Sequence, residues 1–218
     1  MSLNYIIYIA LCILLQFLVE VKSQKTILNP DLRRSHTATF VNDKIYILGG
    51  EIPPSNSKKS PKESFMYLDV SAPFNTNELK WIDLSNDNIV PPHRSAAATR
   101  IGVNNNTILL LGGRSLADEI IPLIHTFDTQ NNLWDAPVTT GIPPNNKLAS
   151  VTIVIDSNGL IYVFGGSTIG PLTYYDDMFI LDSINLNWKK ASSIGAPSPR
   201  NQYGAVLLPN KNIIYMGK

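Results

Sequence analysis

The chain has 218 residues, long enough for one sizeable core, and 44% hydrophobic content with 16% charge is ordinary for a folded protein, which excludes a disordered one. Its 18 basic and 17 acidic residues balance to a net charge of +1, so no large field exists to draw in nucleic acid or an anionic membrane surface.

The first element is an apolar run, Ile6 to Val19 (IIYIALCILLQFLV), interrupted only by Gln16. Its 14 residues suit the core of a signal peptide better than the roughly 20 that a spanning helix needs. Ser23, with Val21 two positions before it, suits cleavage ahead of Gln24, although Met1 to Tyr5 supply no Lys or Arg. The expectation is a signal over 1–23 and a secreted, extracellular remainder over 24–218, with an uncleaved membrane anchor as the alternative. The only cysteine, Cys12, lies in that run, so the mature chain would be held by its core without disulfides.

From Gln24 onward three series recur in one order. Apolar runs end in glycine pairs at Gly49–Gly50, Gly112–Gly113 and Gly165–Gly166, with Gly217 closing a fourth; the first members are spaced 63, 53 and 52 residues apart. Short strands end in Asp69 (FMYLD), Asp128 (HTFD) and Asp182 (MFILD). Trp81, Trp134 and Trp188 follow, spaced by 53 and 54. A fixed period of several tens of residues marks a repeat architecture. Each unit reads as four antiparallel strands: one before a polar Asn/Asp turn, one ending at Gly-Gly, one ending at Asp and one carrying Trp. Glycine at the end of an inner strand permits close approach where sheets converge. A phosphate loop is excluded, because no helical periodicity follows any pair.

The units resemble those of the kelch-repeat family. The matching residues are Arg94 with Ser95 to Ala98, the run Ile108 to Gly113 (ILLLGG), Thr126 to Asp128 (TFD) and Trp134. Arg34 with Ser35 to Ala38 opens the first repeat in the same way, and Pro199 with Arg200 opens the last. The third departs, with Asn146 and Lys147 where the arginine would stand. The resemblance implies an all-β, kelch-type β-propeller, incomplete at about three and a half four-stranded blades, over 33–90, 91–143, 144–196 and a partial 197–218. Complete kelch rings have more blades, so the count predicts either part of a longer product or half-rings that self-associate through open blade edges.

The family's enzyme branch, galactose oxidase, implies a copper site of tyrosines, histidines and a tyrosine joined to cysteine. This chain has no cysteine outside the apolar run, and His36, His93 and His125 fall at unlike repeat positions, so neither a metal nor a cofactor is expected. Asp176 and Asp177 are adjacent, and neighbours on a strand point to opposite faces, which gives them a structural or solvated role. Arg34, Arg94 and Arg200 recur as blade-to-blade ties, with convergence on an anionic ligand as the sharper alternative. The candidate binding residues lie in the loops after the glycine pairs: Lys58, Lys59 and Lys62 in the first, Arg114 in the second, Tyr174 and Tyr175 in the third. Asn105-Asn106-Thr107 forms a glycosylation sequon at a hairpin tip. The expected function is a secreted, non-catalytic module that binds a protein or glycan through loops on one propeller face. The alternative is an extracellular galactose oxidase-like or sugar-active propeller enzyme whose site this chain does not complete.

Overall fold

Alternation sets the first strand: in TATFV the residues Thr37, Thr39 and Val41 turn inward while Ala38 and Phe40 face out. The computed structural model describes residues 28–54, 59–116, 122–144, 148–168 and 173–217. The 1–23 segment therefore lies outside the described residues, as do Lys58, Asn146 and Lys147.

The first sheet runs antiparallel through β1 (Thr37–Val41), β2 (Lys44–Leu48), β3 (Phe65–Asp69) and β4 (Trp81–Asp83) in that order. Asn42 and Asp43, both at positive φ, make the two-residue turn between β1 and β2, a backbone conformation that Asn and Asp tolerate. The second unit begins with β5 (His93–Arg94), then β6 (Ala97–Ile101), β7 (Thr107–Leu111), β8 (Arg114–Ser115), β9 (Ile124–Asp128) and β10 (Leu133–Asp135). Its sheet orders β6-β7-β9-β10, and the two-residue strands β5 and β8 pair separately. The third unit contains β11 (Thr140–Gly141), β12 (Ile153–Ile155), β13 (Leu160–Phe164), β14 (Met178–Asp182) and β15 (Asn187–Lys190). A final hairpin joins β16 (Gly204–Leu207) to β17 (Ile213–Met216). Among the described residues the only helical turn is Ser85–Asp87.

The third sheet differs from the four-strand expectation. The connection from the second unit runs alongside β15 as the parallel strand β11, a fifth member that covers an otherwise open edge. Gly141 permits this approach: at φ +84°, a Cβ there would stand 2.1 Å from the Trp188 carbonyl oxygen.

The innermost strands β1, β6, β12 and β16 approach one another around a common axis, which makes the sheets blades of a β-propeller. Two cores fill the gaps between blades. Val41, Tyr46, Leu48 and Phe65 of the first blade meet Ile108, Leu110, Phe127 and Trp134 of the second. Ala97, Ile101, Leu109, Leu111 and Ile124 of the second meet Val151, Ile161, Val163, Leu181 and Trp188 of the third. The second blade is thus covered on both faces, which is why β7 reads as an unbroken apolar run rather than an alternation.

Adjacent blades are joined where the glycine pairs sit. The amides of Gly50, Gly113 and Gly166 donate to the carbonyls of His93 (2.8 Å), Leu148 (3.0 Å) and Arg200 (2.8 Å) in the following unit. A second ladder runs closer to the axis: Ser95 N–H to Ser35 O, Ser150 to Ser95 and Gln202 to Ser150, at 2.7–2.9 Å. The first glycine of each pair has no room for a side chain, and Gly112 is the tightest, with a Cβ placed 2.3 Å from Leu148 O at φ +65°. Gly112→Ala is expected to lower unfolding free energy by at least about 2 kcal/mol, combining left-handed strain with a backbone clash. Gly195→Ala, at φ +73° with nothing within 4 Å, should lose only about 1 kcal/mol. Urea denaturation of the two variants makes the comparison, and equal losses would remove the clash from the account.

Candidate functional site: the inner rim at the glycine end

The two ladders define equivalent positions. One residue before each left-handed Ser35, Ser95, Ser150 and Gln202 stand Arg34, Arg94, Ala149 and Asn201. One residue after each glycine pair stand Glu51, Arg114 and Ser167, bridged in turn to Arg34, Arg94 and Ala149. These positions form a rim at the end of the propeller where β1, β6 and β12 begin. The hairpin turns, with Asn105, and the turns after Asp69, Asp128 and Asp182 lie at the opposite end.

Glu51 is almost fully buried, and its Oε1 accepts from Arg34 Nη2 and Arg94 Nη1, both at 2.7 Å, so one carboxylate ties two blades. Its Oε2 has no hydrogen-bond partner among the described residues. In the next gap an arginine takes the place of the glutamate: Arg114 Nη2 donates to Ser167 Oγ at 2.9 Å, and Asn201 Nδ2 reaches the same hydroxyl at 3.4 Å. Arg114 Nε is buried without a partner among the described residues. Burial, and after it the neighbouring charge of Arg94, pushes the Arg114 guanidinium below its usual range, with Tyr174 acting in the other direction. Glu51 thus serves Arg34 and Arg94, and Arg114 has no carboxylate partner among the described residues.

The predicted site residues divide. Arg34, Arg94, Arg114 and Tyr174 come together at this rim, Tyr174 being 48% exposed. Tyr175 turns away and packs, half-buried, against the core between the second and third blades, so the two adjacent tyrosines do not form one surface. Lys59 and Lys62 are exposed, and their backbones close the first loop through Ile52 and Asp31. Arg200 stands where His93 and Leu148 stand, not where Arg34 and Arg94 stand; its Nε donates to Ser198 O and its Nη1 to Gly217 O. The third unit's equivalent of the opening arginine is Ala149, not Asn146 or Lys147. Glu51 and Ser167 were not singled out in the sequence as site residues, because each reads there as the first residue of a variable loop.

The aspartates build turns. Asp69 Oδ1 accepts from Ser71 Oγ (2.6 Å) and N (2.9 Å), Asp128 Oδ1 from Gln130 N (2.8 Å), and the Asp182 carboxylate from Asn185 Nδ2 (2.8 Å) and Ile184 N (2.9 Å). Such hydrogen bonds to the charged form hold all three carboxyls below their usual range. Asp177 pairs with Lys190 Nζ at 2.8 Å. Trp134 and Trp188 are buried between neighbouring sheets, whereas Trp81 is half-buried at the outer edge of a first-blade face on which Met66 and Leu68 are buried. Phe40 on the same face is 49% exposed. No group of three metal-ligating side chains gathers among the described residues.

Four-stranded blades around an axis, joined through glycine pairs and indoles, define a repeat propeller of the kelch class. The family model described as the KLHDC2/KLHL20/DRC7 Kelch-repeats domain matches residues 26–218, and the chain belongs to this family. It is similar to human Kelch domain-containing protein 3 (24% identity, covering 85% of this chain and 48% of that one). It is also similar to rice Acyl-CoA-binding domain-containing protein 6 (27% identity; 86% and 28%) and zebrafish Kelch-like protein 41b (25%; 80% and 26%). The chain spans about half or less of the length of these relatives.

Proposed function

We propose that this chain is a kelch-repeat interaction module that takes an acidic segment of a protein partner on its inner rim, with Arg114 as the principal contact. The observation that supports this most is the imbalance of charge at the rim, where Glu51 is bonded to Arg34 and Arg94 and no carboxylate among the described residues pairs with Arg114. Its guanidinium is oriented by Ser167 and backed by Arg94, so a carboxylate arriving there meets a preorganised donor. Tyr174 supplies an exposed amphipathic ring beside it. The module is non-catalytic in this reading: it binds and orients.

A fluorescein-labelled hexaglutamate peptide tests the proposal. It is expected to bind the full chain with an affinity that falls as salt rises, and Arg114→Gln should weaken binding about tenfold or more. Arg100→Gln, at the turn end of β6, should change affinity less than about twofold. Equal losses in the two variants would reduce the binding to diffuse charge attraction.

The same reading takes the protein as secreted, with glycan on Asn105. That residue is exposed at a turn tip with φ +52°, at the end opposite the rim, where a glycan leaves Arg114 accessible. Expression in a secreting eukaryotic host should give a single N-glycosidase-sensitive mass shift that Asn105→Gln removes.

A further inference from the structure

Two buried histidines lie where the first and second blades meet, and neither contributes to the rim's ion pairs. His93, in β5, is 2% exposed, and its Nδ1 lies 2.9 Å from the Pro91 carbonyl oxygen. A carbonyl only accepts, so Nδ1 carries the proton and Nε2 is left as the bare nitrogen. That Nε2 is buried and without a partner among the described residues, pressed against Gly49, where a Cβ would stand only 2.6 Å away. Protonation would place an N–H and a full charge in a space with no described acceptor. His125, on β9, is 3% exposed, close enough to His93 for the two charges to oppose each other, and edge-on to Trp134 at 6.4 Å.

The described charged groups around the pair offer no compensation. Glu51 is held by Arg34 and Arg94, and Glu63 lies with Arg33 at 3.6 Å. Arg94 follows His93 in the chain, Arg114 stands across the β5–β8 ladder, and His36 on the first blade is itself driven towards neutrality by burial and by Arg33. The coupling to the rim is covalent and short. In the ladder His93 pairs with Ser115 and Arg94 with Arg114, so a displacement of His93 moves the segment that carries both arginines.

We propose that His93 and His125 form an acid-sensitive latch between the first two blades: protonating the pair loosens the β5–β8 bridge and releases Arg94 and Arg114 from their places on the rim. The consequence for ligand binding rests on the proposed function; the latch itself does not. Burial pushes both imidazoles down, His125 to about 4, with the charge of His93 adding to the shift there. The unfolded chain takes up these protons near pH 6.5, ahead of the folded one, so the folded junction is favoured above that value and loses stability as pH falls from about 6.5 towards 4.

The test is hydrogen exchange of the full chain at pH 7.5 and 5.0, read as protection factors for the amides of 93–95 and 114–116, alongside hexaglutamate binding. The wild type should lose protection at these amides by about tenfold or more at pH 5.0. His93→Asn with His125→Phe, which keeps a donor for Pro91 O and an aromatic edge for Trp134, should change less than about threefold. Imidazole NMR titration of the wild type covers the case in which the double variant does not fold: both histidines should titrate well below 6.5, and protection should already be falling above their folded-state titration. Unchanged wild-type protection, an equal loss in the double variant, or histidines that titrate at ordinary values would each overturn the latch. Protection that falls as expected in a protein that binds no hexaglutamate at either pH would leave the latch standing and remove the proposed function.

Discussion

Trp134→Ala is expected to lower the unfolding free energy by about 3–5 kcal/mol, the loss typical of a large aromatic truncated inside a core. The indole is 7% exposed and lies 5.2 Å from the ring of Phe65 on the first blade and 5.0 Å from Phe127 on its own. Phe65 and Phe127 meet edge to face at 4.8 Å and Tyr46 joins them, so the substitution removes one ring of an aromatic cluster spanning two blades. The indole Nε1 has no hydrogen-bond partner among the described residues, so what is lost is packing alone. Trp81→Ala should cost less than half as much, because Trp81 is only half-buried and lies outside the aromatic cluster. Guanidinium denaturation of the two variants checks the ratio. A Trp134→Ala protein that melts like the parent but no longer binds a partner would make the indole a ligand platform instead.

The fold was legible because its signals repeat. Each unit carries two strands around an Asn/Asp turn, an Asp that caps its own turn and a Trp that fills the gap behind it, and these local devices do not depend on what lies far away in sequence. The fifth strand of the third sheet was not legible. Thr140–Gly141 is two residues long and belongs to a connection, and its pairing depends on Gly141 passing within reach of the Trp188 carbonyl. The rim was only half legible. Counting from the arginine-like position to the glycine pair is unreliable, since the hairpin turns between them differ: Ser35 precedes Gly50 by 15 residues, Ser95 precedes Gly113 by 18 and Ser150 precedes Gly166 by 16. The carbonyl ladder gives the arginine-like slot to Ala149 in the third unit, not to Asn146 or Lys147, and to Asn201 in the last, not to Arg200. Glu51, Arg114 and Ser167 escape strand alternation for a further reason. Two glycines at positive φ precede each of them and reset the direction of the next side chain, so period-two reasoning does not carry across the pair.

Glu51→Ala is expected to destabilise the protein by about 3 kcal/mol, at the low end of the roughly 3–5 kcal/mol lost when one partner of a buried ion pair is removed. The low end applies because the arginine side chains retain some water, at 36% exposure for Arg34 and 20% for Arg94. The loss has two sources: the tie between the first and second blades goes, and Arg34 and Arg94 both lose a buried, charge-assisted hydrogen bond. Glu51→Gln is a poor rescue. The amide oxygen replaces Oε1, but the amide nitrogen falls where Oε2 has no described partner, so a donor is buried unpaired. Replacing the whole triad, as Arg34→Met, Glu51→Leu and Arg94→Met together, should recover most of the stability, since a buried ionic cluster contributes little beyond a well-packed apolar one. Urea denaturation at constant slope measures all three. Glu51→Ala as stable as the parent would mean that water already satisfies the arginines and the carboxylate holds nothing. The rim should respond in the opposite sense to the fold: with Glu51 gone, it loses one negative charge, and the hexaglutamate peptide should bind Glu51→Ala more tightly than the parent. The same glutamate therefore stabilises the blade junction and weakens the rim's attraction for an external acid, two effects that separate when stability and binding are measured on one variant.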